Sequence, residues 1–205
     1  TFTGENENTE IEESYLRRLP LGAVGKTLKL LKEEHCKDVV LAGSFRRPSL
    51  SSIMGLDLRG FKLIAKIKNS GGDDGTLKEI IKELESEGLN VIGIEELLPS
   101  LLMDTGVLTN AKPLDINTED IEFGLSLLRS LASFDVGQSA VVASRRVLGI
   151  EGPEGTDLLI ERCADLYAGT EAPVLIKACK TKQDRRVDLP TVGPKTISKL
   201  EQAGY

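Results

Sequence analysis

Apolar positions recur along this chain with a period near that of a helix, and short β-branched runs lie between the periodic stretches. Val24, Leu28 and Leu31 fall at i, i+4 and i+7 and predict a helix over 22–34, while Asp38-Val-Val-Leu-Ala42, ending at Gly43, predicts a buried strand. Residues 43–49 read as a loop, because Pro48 biases Arg47 away from helical backbone. Phe61, Ile64 and Ala65 predict a short helix, and the Gly- and Asp-rich tract 69–75 predicts a break and a turn. Leu77, Ile80, Ile81 and Leu84 then share one helical face, Gly88 suits the C-terminus of that helix, and 89–94 predict the next strand. Helix and strand alternating in this way are accommodated most simply by a parallel sheet covered by helices.

The second half reads differently. No period persists from Pro99 to Thr118, and turn residues at 104–106 and 112–113 predict a linker over about 99–118, with one domain over 1–112 and another over 113–205. Asn117 or Thr118 is expected to cap a helix with Ile121, Leu125 and Leu128 on one face, and 139–143 with 147–150 predict a hairpin around Ser144, Arg145 and Arg146. Thr156 or Asp157 is expected to cap a helix aligned on Leu159, Cys163 and Leu166, followed by a strand over 173–179 and a polar loop to Gly193. The fold class expected is α/β, with a parallel-sheet N-terminal domain and a smaller C-terminal α+β domain.

Composition narrows the function classes. The chain has 205 residues, 40% apolar and 28% charged, as a folded globular protein does. No apolar run reaches the roughly 18 residues of a spanning helix, and the first residues are acidic rather than signal-like, so a cytoplasmic protein is expected. Three scattered cysteines, Cys36, Cys163 and Cys179, suggest neither a disulfide framework nor a zinc site. The net charge is −6, yet 177–199 carries seven basic residues against Asp184 and Asp188, a local +5 that leaves −11 on the remainder. That reversal suits a phosphorylated ligand and discourages nucleic acid; a solvated basic loop is the plainer alternative.

Gly25-Lys26-Thr27 ends like a phosphate-binding P-loop, but Pro20 stands where its first glycine belongs, and the tripeptide lies inside a helix. The single histidine, His35, follows a charged helix end and suits a surface or capping role, so histidine metal centres and serine triads are disfavoured. Hydrolytic chemistry would then rest on carboxylates, hard cations and basic side chains, the combination used on phosphates with Mg²⁺ or Mn²⁺. Residues 180–191 supply it: Asp188 to bind a metal or orient water, with Lys177, Lys180 or Arg186 to neutralise phosphate oxygens. Mutual pairing of these charges on a surface loop is the alternative. The Gly-rich run 151–157 feeds a helix start that favours an anion, or is simply a cap.

Residues 43–49, the Gly72-Asp-Asp74 turn with its helix, 135–142, 154–157 and Gln183-Asp-Arg-Arg-Val-Asp-Leu-Pro-Thr191 together resemble, in order and spacing, the LpxI family. The resemblance covers most of the chain from about Leu21. It implies a Rossmann-like N-terminal domain, a C-terminal domain with the substrate held between the two, and Mg²⁺- or Mn²⁺-dependent hydrolysis of UDP-2,3-diacylglucosamine to UMP and 2,3-diacylglucosamine 1-phosphate (lipid X) in lipid A synthesis. It places Asp188 on the essential aspartate, and Thr156, Asp157, Lys177, Gln183 and Asp184 on positions that line the site. Asp188, Asp184 and Lys177 are accordingly expected as catalytic residues, Asp188 also as metal ligand, and Thr156, Asp157, Gln183, Arg186, Thr191, Gly43 and Arg47 as substrate-binding residues. It further implies a strand and Gly-rich loop upstream of Thr1 and more helix and strand past Tyr205, so that this chain reads as a member lacking both. A homodimer and peripheral contact with the inner membrane are left open. The rival from another class is a non-catalytic nucleotide or sugar-phosphate binding module; a nicotinamide-dependent oxidoreductase is weaker, since no GxGxxG is present.

Overall fold

A computed structural model of the chain describes residues 12, 14–43, 55–70, 72–134, 136–180, 184–187 and 189–205. They form two compact units, Thr1–Leu102 and Met103–Tyr205.

In the first unit the elements run α1 (Val24–Glu33), β1 (Asp38–Val40), α2 (Leu58–Ser70), α3 (Gly72–Ser86), β2 (Asn90–Ile92) and α4 (Ile94–Leu97), followed by a 3₁₀ turn at Pro99–Leu101. β1 and β2 pair in parallel, Val39 opposite Val91, and the helices flank them over a core of Leu28, Leu63, Ile81, Leu84 and Val91. The parallel α/β character expected of this half is present. Past the end of α1, His35 takes a left-handed backbone (φ 55°) while Cys36 N–H closes on the Leu31 carbonyl at 2.9 Å, so this histidine serves the helix end. Gly88 does the same after α3, at φ 84°.

Two expectations here are corrected. The tract 69–75 is not a broad turn: α2 continues through Ser70 and α3 begins at Gly72, so Asp73 and Asp74 belong to a helix. Phe61 is 67% exposed, and Leu63 is buried instead. The cause is Gly60, which lies so close beneath the Gly22 carbonyl that a Cβ there would collide with it. That approach sets which face of α2 turns inward.

Asp57 joins two helix starts. Its carboxylate accepts Gly60 N–H at 2.8 Å in the first turn of α2 and Lys26 N–H at 3.2 Å in the first turn of α1, which has no side-chain cap of its own. Burial alone would raise its pKa, but these backbone N–H groups outweigh it and hold Asp57 below the usual carboxylate range. A carboxylate depressed in the folded state stabilises above its unfolded pKa and loses that contribution as pH falls through the folded value. Asp57→Ala should therefore cost about 1 kcal/mol at pH 7 and less at pH 3. The check is hydrogen exchange of the Lys26 and Gly60 amides at both pH values; equal protection in variant and wild type at pH 7 would exclude the capping role.

In the second unit the order is α5 (Asp115–Leu131), a 3₁₀ turn at Ala132–Phe134, β3 (Ser139–Ala143), β4 (Arg146–Ile150), α6 (Thr156–Leu166), β5 (Val174–Lys177) and α7 (Pro194–Gln202). The strands form an antiparallel sheet in the order β4-β3-β5, and β3 is buried along its whole length. Ala140, Val142 and Ile176 meet Leu128 of α5 on one face of the sheet, whereas Val141 meets Leu159 and Cys163 of α6 on the other. Gly124 and Gly149 permit this layering, since a Cβ on them would stand 2.7 Å from Ile176 Cδ1 and 2.5 Å from Cys163 Sγ.

α5 starts at Asp115, ahead of the caps expected at Asn117 or Thr118; Asn117 instead reaches back to accept Leu114 N–H at 2.9 Å. Its most buried stripe is Asp120, Gly124 and Leu128, with Ile121 and Leu125 half-buried beside it. Asp120, only 1% exposed, accepts the N–H groups of Ser144 at 2.9 Å and Arg145 at 2.5 Å. Those two residues form the β3–β4 turn with φ 50° and 59°, and Arg146 belongs to β4 rather than to the turn. Leu166, aligned with the core by period, is 75% exposed at the end of α6. Among the described residues no helix is long and apolar enough to cross a membrane.

Candidate functional site

Three elements of the second unit converge on one polar chain. β5 ends at Lys177, α6 begins at Thr156, and Glu151 follows the last residue of β4. Lys177 Nζ donates to Thr156 Oγ1 at 2.7 Å, and Thr156 Oγ1 donates to Glu151 Oε1 at 2.7 Å. The other carboxylate oxygen, Glu151 Oε2, accepts Gln138 N–H at 3.1 Å. The backbone holds Glu151 as well: its N–H donates to the Ser139 carbonyl at 2.9 Å and its carbonyl accepts Gly137 N–H at 3.2 Å. Ser139 pairs with Lys177 in the β3–β5 register, so the two share a sheet face, and the buried Ser139 hydroxyl has no hydrogen-bond partner among the described residues.

Thr156 and Asp157 are not caps. They occupy the first two positions of α6, and the cap is Gly155, whose φ of 82° suits glycine and which has no side chain to satisfy the first N–H groups. Thr156 is thereby free to bridge Lys177 and Glu151. Asp157 turns to α7, 3.0 Å from Lys195 Nζ and 3.8 Å from Lys199 Nζ. Lys199 also pairs with Glu161, and that hydrogen bond, aided by the charges of Glu161 and Asp157, raises its pKa.

Arg186 forks onto Asp184, Nε to Oδ1 at 2.9 Å and Nη2 to Oδ2 at 2.7 Å, while its own N–H reaches Oδ1 at 3.1 Å. For this pair the charges of the loop satisfy one another. Thr191 Oγ1 donates to the Leu189 carbonyl at 3.0 Å, and Gly43 lies in the first unit, after β1, with φ 105°. Arg47, Gln183 and Asp188 lie outside the described residues, as does most of the loop 43–49.

Glu151 is the residue that sequence reasoning missed. It headed the Gly-rich run 151–157, but its five-residue spacing to Thr156 becomes meaningful only once the loop folds back to the start of α6. Its neighbour Glu154 is held below the usual carboxylate range by its own backbone N–H and by Arg162. Burial pushes the Cys163 thiol up, as befits a core residue rather than a nucleophile. Among the described residues no group of three His, Cys, Asp or Glu side chains could hold a metal ion, and Asp157 and Asp184 are engaged by Lys195 and Arg186. The described carboxylates therefore do not assemble a cation site by themselves.

Fold and site together define a two-unit α/β protein with a lysine held at a helix start, an arrangement suited to an anionic ligand. The family model described as the LpxI N-terminal domain matches residues 2–101, and that described as the LpxI C-terminal domain matches residues 104–205. Over 192 residues, 90% of this chain and 68% of the relative, the sequence is 36% identical to the UDP-2,3-diacylglucosamine pyrophosphatase LpxI of Caulobacter vibrioides. The chain belongs to the LpxI family.

Proposed function

We propose that this protein hydrolyses the diphosphate of UDP-2,3-diacylglucosamine to UMP and 2,3-diacylglucosamine 1-phosphate, a step of lipid A synthesis on the cytoplasmic side of the inner membrane. Membership of the LpxI family supports the reaction class. The observation that carries the site is the fixed ammonium of Lys177 beside the first turn of α6, where the helix dipole and uncapped N–H groups favour a phosphate oxygen.

In this reading Lys177 neutralises charge developing on the diphosphate, Thr156 and Asp157 place the sugar phosphate at the start of α6, and Gln183, Arg186 and Thr191 are assigned to substrate binding. Asp184, which holds Arg186 in its fork, is assigned to the catalytic set with Lys177 and Asp188. Gly43 and Arg47 are assigned to the nucleotide. Asp188 is the essential carboxylate and the oxygen donor for Mg²⁺ or Mn²⁺, which would screen the diphosphate.

The test is UMP release from UDP-2,3-diacylglucosamine by the intact protein, with Mg²⁺, with Mn²⁺ and with chelator. Release that needs the divalent cation is expected. Tight binding of the substrate with no UMP under any of these conditions would return the protein to the class of binding modules.

A further inference from the structure

We propose that Glu151 is a positioning residue of this site: its carboxylate fixes the rotation of the Thr156 hydroxyl, and that hydroxyl fixes the direction of the Lys177 ammonium. The kinetic consequence rests on the hydrolase reading given above; the structural consequence does not.

The polarity of the chain follows from donor and acceptor inventory. A lysine ammonium can only donate, and an ionised carboxylate can only accept. The threonine hydroxyl between them has one proton and two lone pairs, and it lies 2.7 Å from each. Its proton must go to Glu151, which leaves a lone pair directed at Lys177. Glu151 cannot easily rotate out of this role, because Oε2 is held by Gln138 N–H and its own backbone N–H and carbonyl are bonded to Ser139 and Gly137. An anchor built on strand backbone thus reaches, through one hydroxyl, the end of a flexible four-carbon side chain. Lys177 has two further N–H groups for phosphate oxygens, and their direction is set once the third is committed.

Loss of Glu151 frees the Thr156 proton to rotate, and the Lys177 ammonium loses its fixed acceptor. Misdirection of this kind affects the transition state more than ground-state binding. Glu151→Ala is therefore expected to lower kcat by roughly 10- to 100-fold with KM changed by less than about threefold. Glu151→Gln, which keeps one acceptor oxygen, should recover part of the loss. Thr156→Val breaks the same chain while filling the same volume, so the double variant of Glu151→Ala and Thr156→Val should be no slower than the worse single one. Combined with Lys177→Ala, Glu151→Ala should have no further effect.

The second readout is independent of activity: the ¹⁵N-detected ammonium signal of Lys177 in the intact protein, assigned by its disappearance in Lys177→Ala. A slowly exchanging, hydrogen-bonded ammonium is expected in the wild type and should be lost in both Glu151→Ala and Thr156→Val. Multiplicative kinetic losses, or a Lys177 signal unchanged in both variants, would overturn the proposal. Should the wild type release no UMP while the signal behaves as expected, the hydrolase reading fails and the positioning of Lys177 by Glu151 stands.

Discussion

Exchange of Lys177 for alanine is expected to lower kcat/KM for UMP release by about 10²- to 10³-fold, the usual cost of removing one preorganised charge from a developing oxyanion, with the second unit still folded. Lys177 ends β5, its backbone is paired with Ser139, and its side chain is half-buried, so truncation leaves the strand register in place. What disappears is a cation whose direction is set before substrate arrives, by Thr156 and behind it Glu151. Lys177→Arg should not restore the rate, because a planar guanidinium cannot occupy the same hydrogen bond and present the same remaining donors. Asp188→Ala is the companion variant, with release expected to collapse while substrate still binds. Steady-state release of UMP, with circular dichroism as the folding control, decides the matter. A loss below about threefold in Lys177→Ala would place this lysine outside the transition state.

Asp120→Ala is expected to destabilise the second unit by about 2–4 kcal/mol, since two backbone N–H groups of the turn lose the same charged acceptor together. Ser144 and Arg145 hold a left-handed backbone that glycine or asparagine adopts far more readily, and the carboxylate of Asp120 keeps them there from a different element. Putting Asn-Gly at these two positions should return part of the stability, because that pair forms the turn by its own preference. Urea unfolding of wild type, Asp120→Ala, and Asp120→Ala with Ser144→Asn and Arg145→Gly is the comparison. If the triple variant is no more stable than Asp120→Ala, the cost lies in the buried site of Asp120 and not in the turn.

That hairpin also marks where local pattern stops being sufficient. Two β-branched runs around a short polar stretch were enough to place β3 and β4, because strand pairing follows from alternation and burial. Nothing in Ser144 and Arg145 announces a turn of that backbone, and the residue that makes it tenable is on α5, 24 positions from Ser144.

The helical periods over 22–34, 77–84 and 159–163, the β-branched strands and the glycine after α3 were all legible, because each depends on neighbours a few residues apart. The resemblance carried by the loop 183–191 likewise lies in a contiguous string, and the family assignment needed no coordinates. Tertiary structure alone decided which face of α2 is buried, through the approach of Gly60 to Gly22, and it alone turned Thr156 from an expected cap into a bridge. The physical reason is the same in both cases. A propensity sums local terms along the chain, whereas a close backbone approach or a hydrogen-bond chain through Lys177, Thr156 and Glu151 exists only after β4, α6 and β5 have been brought together by the burial of Val141, Leu159 and Cys163.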